Sequence, residues 1–379
     1  MPEQNIAVIG ASGFVGSALC ERLFFAGRRD FTAFIHDAGN AARLARLPLP
    51  LRMLDLLDAA QVTDALAGFP VIINCSRGDD MVRALRHLIA AAKRHRVQKF
   101  VHISSTAIYG DDPAPGSAAE TYPAEPGANE YGRIKARQDE MVQALERTGV
   151  STYILCPSNI SGPYSPFVAA LARRMTSGPM ALVDGGRYPC NLVHVDNLVQ
   201  AILTAVASDR GSGCRYFVNE TPAVTWHEYF QDLAELLSID CTFIPVDREK
   251  VLRRLSPVRA RQGLIAHCKI AVSGEFRRGL MIMPVMQRLN DGAAALFERL
   301  PSDVRQSLRR RLQVPISISK QDDGPSLEEH YVRAQVRRVY HSPEKLMVEL
   351  GFRHALDYRR GLETTAEWLR FAGLGRPHG

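Results

Sequence analysis

A tyrosine and a lysine four positions apart are the residues of this sequence best suited to proton transfer. Tyr131 and Lys135 occur in the segment YGRIK, and on a helix this interval places both side chains on one face. A free tyrosine has a pKa of about 10, and a neighbouring ammonium group lowers it by stabilising the phenolate. The pair could therefore work as an acid and base near neutral pH, although the same interval also occurs on ordinary helix surfaces.

Three glycines near the amino terminus form a second candidate site. Gly10, Gly13 and Gly16 follow the apolar run IAVI and open a helical pattern. Backbone amides and the helix dipole at such a position can hold a pyrophosphate. The placement between a strand and a helix favours cofactor binding over simple packing of the helix on the strand.

The elements that must position these residues follow from the spacing of apolar side chains. Short apolar runs alternate with longer amphipathic segments through the first half of the chain. This alternation predicts an α/β fold with a Rossmann-like, doubly wound parallel sheet. The expected strands are 5–9, 31–35, 71–75, 100–104 and 152–156, and the expected helices are 15–26, 59–67, 81–95 and 131–146.

The alternation stops after Pro157, which predicts a change of domain. We expect residues 1–156 to form the nucleotide-binding domain and residues 157–379 to form mainly a smaller substrate-binding lobe. A strand at 215–220 is expected to return to the main sheet, with helices at 195–207 and 226–237. Residues 247–340 are expected to form a basic helical insertion.

The motifs around these residues resemble the extended branch of the short-chain dehydrogenase/reductase family, which contains the NAD-dependent epimerases and dehydratases. The likeness rests on the G-x-x-G-x-x-G spacing, on VHISSTAIYG before the tyrosine, and on CPSNISGP and NLVHVDNLVQAI after it. It implies hydride transfer between a nicotinamide cofactor and a secondary alcohol or ketone. In that reaction Tyr131 would exchange the hydroxyl proton, Ser105 would hold the reacting oxygen, and Lys135 would also bond the nicotinamide ribose.

The same resemblance bears on the choice of cofactor. The usual acidic residue at the end of the second strand falls on Ile35, and the next position, often arginine in NADP users, is His36. NADP is therefore slightly favoured, while Asp37 leaves NAD open. The expected cofactor contacts are Gly10, Ser12, Gly13, Phe14, Val15, Gly16, His36, Asp55, Leu56, Cys75, Tyr131, Lys135 and Pro157.

Two departures from the family pattern affect the expected substrate. Cys156 replaces the usual arginine before Pro157, and Cys190 stands where many nucleotide-sugar enzymes have an arginine. They weigh against a nucleotide sugar, although Asn159 keeps an amide that often contacts substrate and Arg187 could supply the missing charge. The expected substrate contacts are thus Ser105, Asn159 and Arg187.

The motifs leave the type of reaction open. An epimerase retains its keto intermediate and cofactor, whereas a reductase or dehydrogenase releases its product and exchanges the cofactor. Thr106 and Ala107 replace the Asp-Glu pair of the family's dehydratases, which disfavours a 4,6-dehydratase. A non-catalytic nucleotide-binding regulator or assembly protein of the same fold is the alternative, but such proteins tend to lose the tyrosine or lysine.

Composition narrows the expected surroundings of the protein. The chain has 379 residues, a formal net charge of +7 and seven scattered cysteines, which argue against disulfides or a zinc site and favour the cytoplasm. No run of membrane-spanning length and no nucleic-acid module is evident. The basic insertion suggests helices packed on the lobe or, less strongly, peripheral docking to anionic lipid or an acidic carrier protein. By analogy with relatives, helices 81–95 and 131–146 could form a homodimer contact.

Overall fold

The structure is a computed structural model that describes residues 5–78, 80–210, 213–255 and 330–375. All of these residues belong to one compact unit. Most of the basic insertion expected at 247–340 lies outside the described residues, so both interpretations of it stay predictions.

A parallel sheet of seven strands forms the centre of this unit. Across the sheet the strands run in the order β10-β6-β5-β4-β1-β2-β3, and every neighbouring pair is parallel. Most of the strands are buried on both faces, which explains their nearly continuous apolar sequences. The strands are β1 Ile6–Ile9, β2 Phe31–Ile35, β3 Leu51–Met53, β4 Val71–Asn74, β5 Lys99–Ile103, β6 Ser151–Pro157 and β10 Arg215–Val218. The expected fold class is confirmed.

Helices cover both faces of the sheet. On one face lie α1 Phe14–Phe25, α7 Val195–Ala207 and α11 Glu344–Leu350, whose apolar residues share one core with the strands. On the other face lie α3 Ala59–Ala65, α4 Met81–Arg94 and α5 Glu130–Glu146, which share a second core. A short helix, α2 Ala42–Ala45, follows β2. The two cores hold the ends of the strands in fixed positions. A functional site at those ends needs this rigidity.

The second lobe has its own small sheets and an aromatic core. Strand β7 Asn159–Ser161 pairs with β9 Leu192–His194, and β8 Met180–Val183 pairs with β11 Phe243–Val246. The side chains of Trp226, Tyr229 and Phe230 are fully buried at its centre. The helices that pack around them are α6 Pro166–Ser177, α8 Trp226–Leu236, α9 Arg248–Leu255, α10 His330–Gln335 and α12 Tyr358–Phe371.

The helix starts agree with the local sequence. Asp58 accepts hydrogen bonds from the amides of Ala60 and Gln61 and so caps α3, as expected for an aspartate before a helix. His194 accepts a hydrogen bond from the amide of Asp196 and so caps the start of α7. In the part of the chain that the structure describes, none of the helices combines the length and the hydropathy needed to span a membrane.

Candidate active site

A large cavity lies at the carboxyl ends of the central strands. It has a volume of about 860 Å³ and is lined from the ends of β1, β2, β4, β5 and β6 and from α5. In open α/β sheets this edge is where ligands bind. All the cofactor contacts expected from the sequence line it except Gly16, and Ser105 lines it as well.

The glycine-rich loop has the close backbone packing that a pyrophosphate cradle requires. Gly10 has a φ of +74°, and a Cβ added there would lie 2.7 Å from the Cα of Ser76. A Cβ added at Gly16 would lie 2.3 Å from the carbonyl oxygen of Gly10, so Gly16 supports the loop from behind. Helix α1 begins at Phe14 directly after the loop, and its free amides point to where a phosphate would bind. These residues fit a dinucleotide.

The end of β2 forms the part of the cavity where the cofactor's ribose is expected. His36, Asp37 and Asn40 are exposed there and line the cavity. The carboxylate of Asp37 accepts a hydrogen bond from the amide of Gly39 at 2.8 Å, so it is engaged by its own turn. Asp55 and Leu56 line the neighbouring wall, and Asp55 accepts a hydrogen bond from the amide of Leu57 at 2.9 Å.

Helix α5 carries the tyrosine and lysine on the side that faces the cavity. Lys135 is 3% exposed, and its Nζ lies 6.0 Å from the centroid of the Tyr131 ring. The Nζ donates a hydrogen bond to the carbonyl oxygen of Ile103 at 2.8 Å, at the end of β5. Burial lowers the pKa of Lys135 to about 8. The ammonium is therefore close to its titration point at physiological pH.

Tyr131 is subject to opposing effects. Burial raises the pKa of its phenol, while the guanidinium of Arg77 and the Ser105 hydroxyl oppose that rise. Ser105 follows β5, and its Oγ accepts a hydrogen bond from the amide of Ala107 at 3.2 Å. The three residues expected to be catalytic thus lie together at one wall of the cavity.

Arg77 is a cavity residue that the sequence reasoning missed. Its guanidinium carbon lies 5.5 Å from the centroid of the Tyr131 ring. The segment that carries it is fixed by Asn74, whose Oδ1 accepts hydrogen bonds from the amide and the hydroxyl of Ser76 at 3.1 and 2.6 Å. The available signal was its position, because residues directly after a parallel strand end at the ligand-binding edge.

Two expected substrate contacts lie away from the cavity. The Nδ2 of Asn159 donates to the carbonyl oxygen of Asn191 at 3.0 Å. Arg187 is 69% exposed and pairs with Asp184 at 3.0 Å. Neither residue lines the cavity, and Cys190 is buried in the core of the lobe. The roles of Asn159 and Arg187 in substrate binding stay predictions.

A basic cluster of Arg77, His330, Arg333 and Arg337 lies beside the tyrosine. Asp111 approaches Arg333 at 3.6 Å and Arg337 at 3.8 Å, and it accepts a hydrogen bond from Asn129, the residue that caps α5. Burial and the charges of Arg337 and Arg333 lower the pKa of His330. Asp111 thus pairs with two of the three arginines.

Comparison with known proteins gives the class to which this site belongs. Residues 6–218 match the family described as NAD dependent epimerase/dehydratase family. This region is more than half of the chain, so the chain belongs to that family, as the sequence motifs had predicted. A Thermus thermophilus UDP-glucose 4-epimerase solved with NAD has the same fold, with a TM-score of 0.62 and 20% identity over 97% of this chain and 99% of the other.

The curated relatives differ in the reactions for which they are named. The 2-alkyl-3-oxoalkanoate reductase of Shewanella oneidensis is 25% identical over 276 residues, covering 66% of this chain and 69% of the relative. The N-acetyl-alpha-D-glucosaminyl-diphospho-ditrans,octacis-undecaprenol 4-epimerase of Escherichia coli O157:H7 is 27% identical over 214 residues, covering 52% and 62%. The uncharacterized protein YbjS of Escherichia coli K12 is 29% identical over 211 residues, and the match covers 51% of this chain and 62% of YbjS.

Proposed function

We propose that this protein is an NAD(P)-dependent oxidoreductase that reduces a ketone, or oxidises the matching secondary alcohol, on an anionic small molecule. The main support for the proposal is a shared cavity. Ser105, Tyr131 and Lys135 line the same cavity as the glycine-rich loop. The retained tyrosine and lysine argue against a purely nucleotide-binding regulator.

The residues of the chain would divide the work of the reaction as follows. A bound nicotinamide cofactor supplies or accepts the hydride. In the direction of reduction, the Tyr131 hydroxyl donates its proton to the carbonyl oxygen as that oxygen becomes a hydroxyl. The Ser105 hydroxyl hydrogen bonds to the same oxygen and orients it. The charges of Lys135 and Arg77 stabilise the phenolate that remains.

Reduction is favoured over epimerisation of a nucleotide sugar by the positions of two residues. Cys190 is buried in the lobe core, and Arg187 lies outside the cavity, so neither presents a cation to a pyrophosphate there. The name of one relative, 2-alkyl-3-oxoalkanoate reductase, agrees with this choice. An epimerase remains the second candidate, since a relative of similar identity is named as one.

An anionic substrate is supported by the basic cluster. Arg77 lines the cavity, and Phe167, which contacts the ring of His330, follows the cavity residue Pro166. Two arginines, Arg333 and Arg337, share the single carboxylate of Asp111, and the buried Nε of Arg337 has no hydrogen-bond partner among the described residues. Such an excess of charge suits a carboxylate or phosphate on the substrate.

NADP is the cofactor that we propose, because His36 lies at the cavity while Asp37 is engaged by its own turn. The first measurement is mass spectrometry of the nucleotide released when the purified protein is denatured. Stoichiometric retained NAD would contradict the reductase proposal and support the epimerase. Dissociation constants for NADPH and NADH then test the cofactor preference, and tighter binding of NADH would overturn it.

Turnover is tested with a panel of ketones that carry a carboxylate or a phosphate, each paired with its neutral ester. We expect oxidation of NADPH with members of the anionic set and at least tenfold lower kcat/KM with their esters. The variant Tyr131→Phe should lose at least a thousandfold in kcat while binding the cofactor normally. Undiminished turnover in that variant would refute the role of Tyr131 in proton transfer. Equal turnover of acids and esters would refute the preference for an anionic substrate.

A further inference from the structure

An ion pair lies inside the protein directly behind the lysine of the site. Asp139 is 0% exposed, and its Oδ2 accepts a hydrogen bond from the Nε of Arg215 at 2.8 Å. Arg215 begins β10, the edge strand next to β6, and it is itself buried. An enclosed carboxylate is costly unless it has a specific role or partner.

Asp139 lies one helical turn after Lys135 on α5. The two residues are four apart on α5, so their side chains are neighbours, with about 5–6 Å between Cβ atoms. Both are buried. The titratable and charged groups around Lys135 and Asp139 include Tyr131 on α5, Cys75 and Arg77 after β4, His102 in β5, Tyr109 after β5, Cys156 in β6 and Arg215 in β10.

We propose that Asp139, held in place by Arg215, is a positioning residue that keeps the Lys135 ammonium charged inside the protein. This role rests on the assignment of Lys135 to the proposed proton-transfer pair. An amine enclosed as deeply as Lys135 loses its proton easily, and a neutral amine could not stabilise the Tyr131 phenolate. Asp139 supplies the compensating negative charge from the next turn of the same helix.

The pKa shifts agree with this geometry. Burial lowers the pKa of Lys135 to about 8, and the charge of Asp139 is the largest effect that opposes the fall. Burial also raises the pKa of Asp139, while the Arg215 guanidinium acts against that rise and helps to keep the carboxylate ionised. Arg215 therefore acts on the lysine through the aspartate.

The test measures the protonation of Lys135 directly in the full chain, with no substrate. The protein is labelled with [13C]lysine, and the signals of its seven lysines are followed with pH by NMR. The Lys135 signal is assigned by its loss in Lys135→Arg. In the wild type it should titrate near pH 8, and in Asp139→Asn the midpoint should fall by about one unit or more. Asp139→Glu should restore most of the difference.

Two further variants keep the result interpretable. Asp139→Asn combined with Arg215→Gln removes both charges without leaving a lone buried guanidinium, and its midpoint should fall by about half a unit or more. Glu146→Gln is the matched control, because Glu146 is a carboxylate on the same helix whose Oε2 bonds Thr152 near the far end. Its midpoint should stay at the wild-type value. Midpoints in both Asp139 variants equal to the wild type would overturn the proposal.

Failure of this inference and failure of the proposed function are distinguishable. The NMR titration uses neither cofactor nor ketone, whereas the Tyr131→Phe and ketone experiments do not depend on Asp139. An unchanged Lys135 midpoint together with tyrosine-dependent turnover would reject only the role of Asp139. A shifted midpoint in a protein without turnover would reject only the proposed reaction.

Discussion

The guanidinium of Arg77 lies over the ring of Tyr131, with its carbon 5.5 Å from the ring centroid. Arg77 comes from the loop after β4, whereas Tyr131 comes from the first turn of α5. Tyr131 thus has a cation from another element in addition to Lys135 on its own helix. The electrostatic control of its phenol is shared between two segments that are distant in the sequence.

Replacing Arg77 by Met should make Tyr131 harder to ionise. The positive charge favours the phenolate, so its removal raises the pKa of Tyr131, and alcohol oxidation should need a higher pH. Because Arg77 is exposed, we expect the midpoint of the kcat/KM profile to rise by about half to one pH unit, or a roughly three- to tenfold loss at pH 7. Arg77→Lys should retain most of the activity, and the exposed Arg94→Met serves as the control. An unshifted profile in Arg77→Met would argue against this role.

The substitution Gly16→Ala should weaken cofactor binding. The new Cβ would lie 2.3 Å from the carbonyl oxygen of Gly10 and 2.8 Å from the Cα of Ala11, so the backbone of the loop must shift. We expect the dissociation constant for NADPH to rise about tenfold or more, measured by calorimetry. Gly27→Ala is the control, since nothing lies within 4 Å of a Cβ at that position. Because residue 27 has a positive φ, alanine there should lower the thermal stability of the protein. The affinity for the cofactor should be unchanged.

His341 should make the fold sensitive to acid. It is 1% exposed, stacks on Tyr109 with ring centroids 5.6 Å apart, and has no hydrogen-bond partner at either nitrogen among the described residues. Burial and Arg337 lower its pKa to about 3 from 6.5. Between those values the unfolded chain binds more protons than the folded one, so this contribution to stability falls as the pH falls.

The corresponding measurement is urea unfolding of the wild type and His341→Phe at pH 7 and pH 5. The titration of His341 should cost the wild type about 2 kcal/mol of unfolding free energy over this interval, and the variant should lose correspondingly less. His87→Phe, which alters a partly exposed histidine on α4, should leave the difference between the two pH values as it is in the wild type. Identical acid sensitivity of the wild type and His341→Phe would contradict the assignment.

Asn74→Ala should loosen the segment that carries Arg77. Asn74 fixes Ser76 with two hydrogen bonds, and its Nδ2 lies 3.1 Å from the Nδ1 of His102. Losing these contacts should cost about 1–3 kcal/mol of unfolding free energy and should raise the dissociation constant for the cofactor several-fold. Asn74→Asp keeps an oxygen that can accept both hydrogen bonds from Ser76 and should lose less affinity. Equal affinity of Asn74→Ala and the wild type would show that the segment is held by other contacts.

Much of the fold could be predicted because the parallel strands are buried on both faces. Such strands show continuous apolar runs, and the expected strands at 31–35 and 71–75 differ from β2 and β4 by at most one residue. The helix expected at 195–207 also has the observed bounds. Strand β3, with the sequence LRM and a partly exposed surface, has no such signal and was missed. Strands β7, β8, β9 and β11 of the lobe were also missed, because segments of three or four residues are too short to give a clear pattern.

The candidate site was predictable where chemistry depends on spacing along the chain. Gly10, Tyr131 and Lys135 belong to local motifs, and the structure places all three at the cavity. Arg77, Asp111 and Arg337 come together only through the tertiary fold, so no local pattern could identify them as neighbours. Arg187 was expected from its position next to a family motif, but the direction of a side chain in a loop cannot be read from such a position.

The return of the chain to form β10 affects the order in which the central sheet can be completed. Residues 215–218 leave the ribosome only after strands β7, β8 and β9 of the lobe have been synthesised. Until then β6 is an open edge and Asp139 lacks Arg215, so a fragment ending near residue 157 would expose both. Transplanting the first half of this chain onto another lobe would therefore require the distant edge strand to be carried along with it.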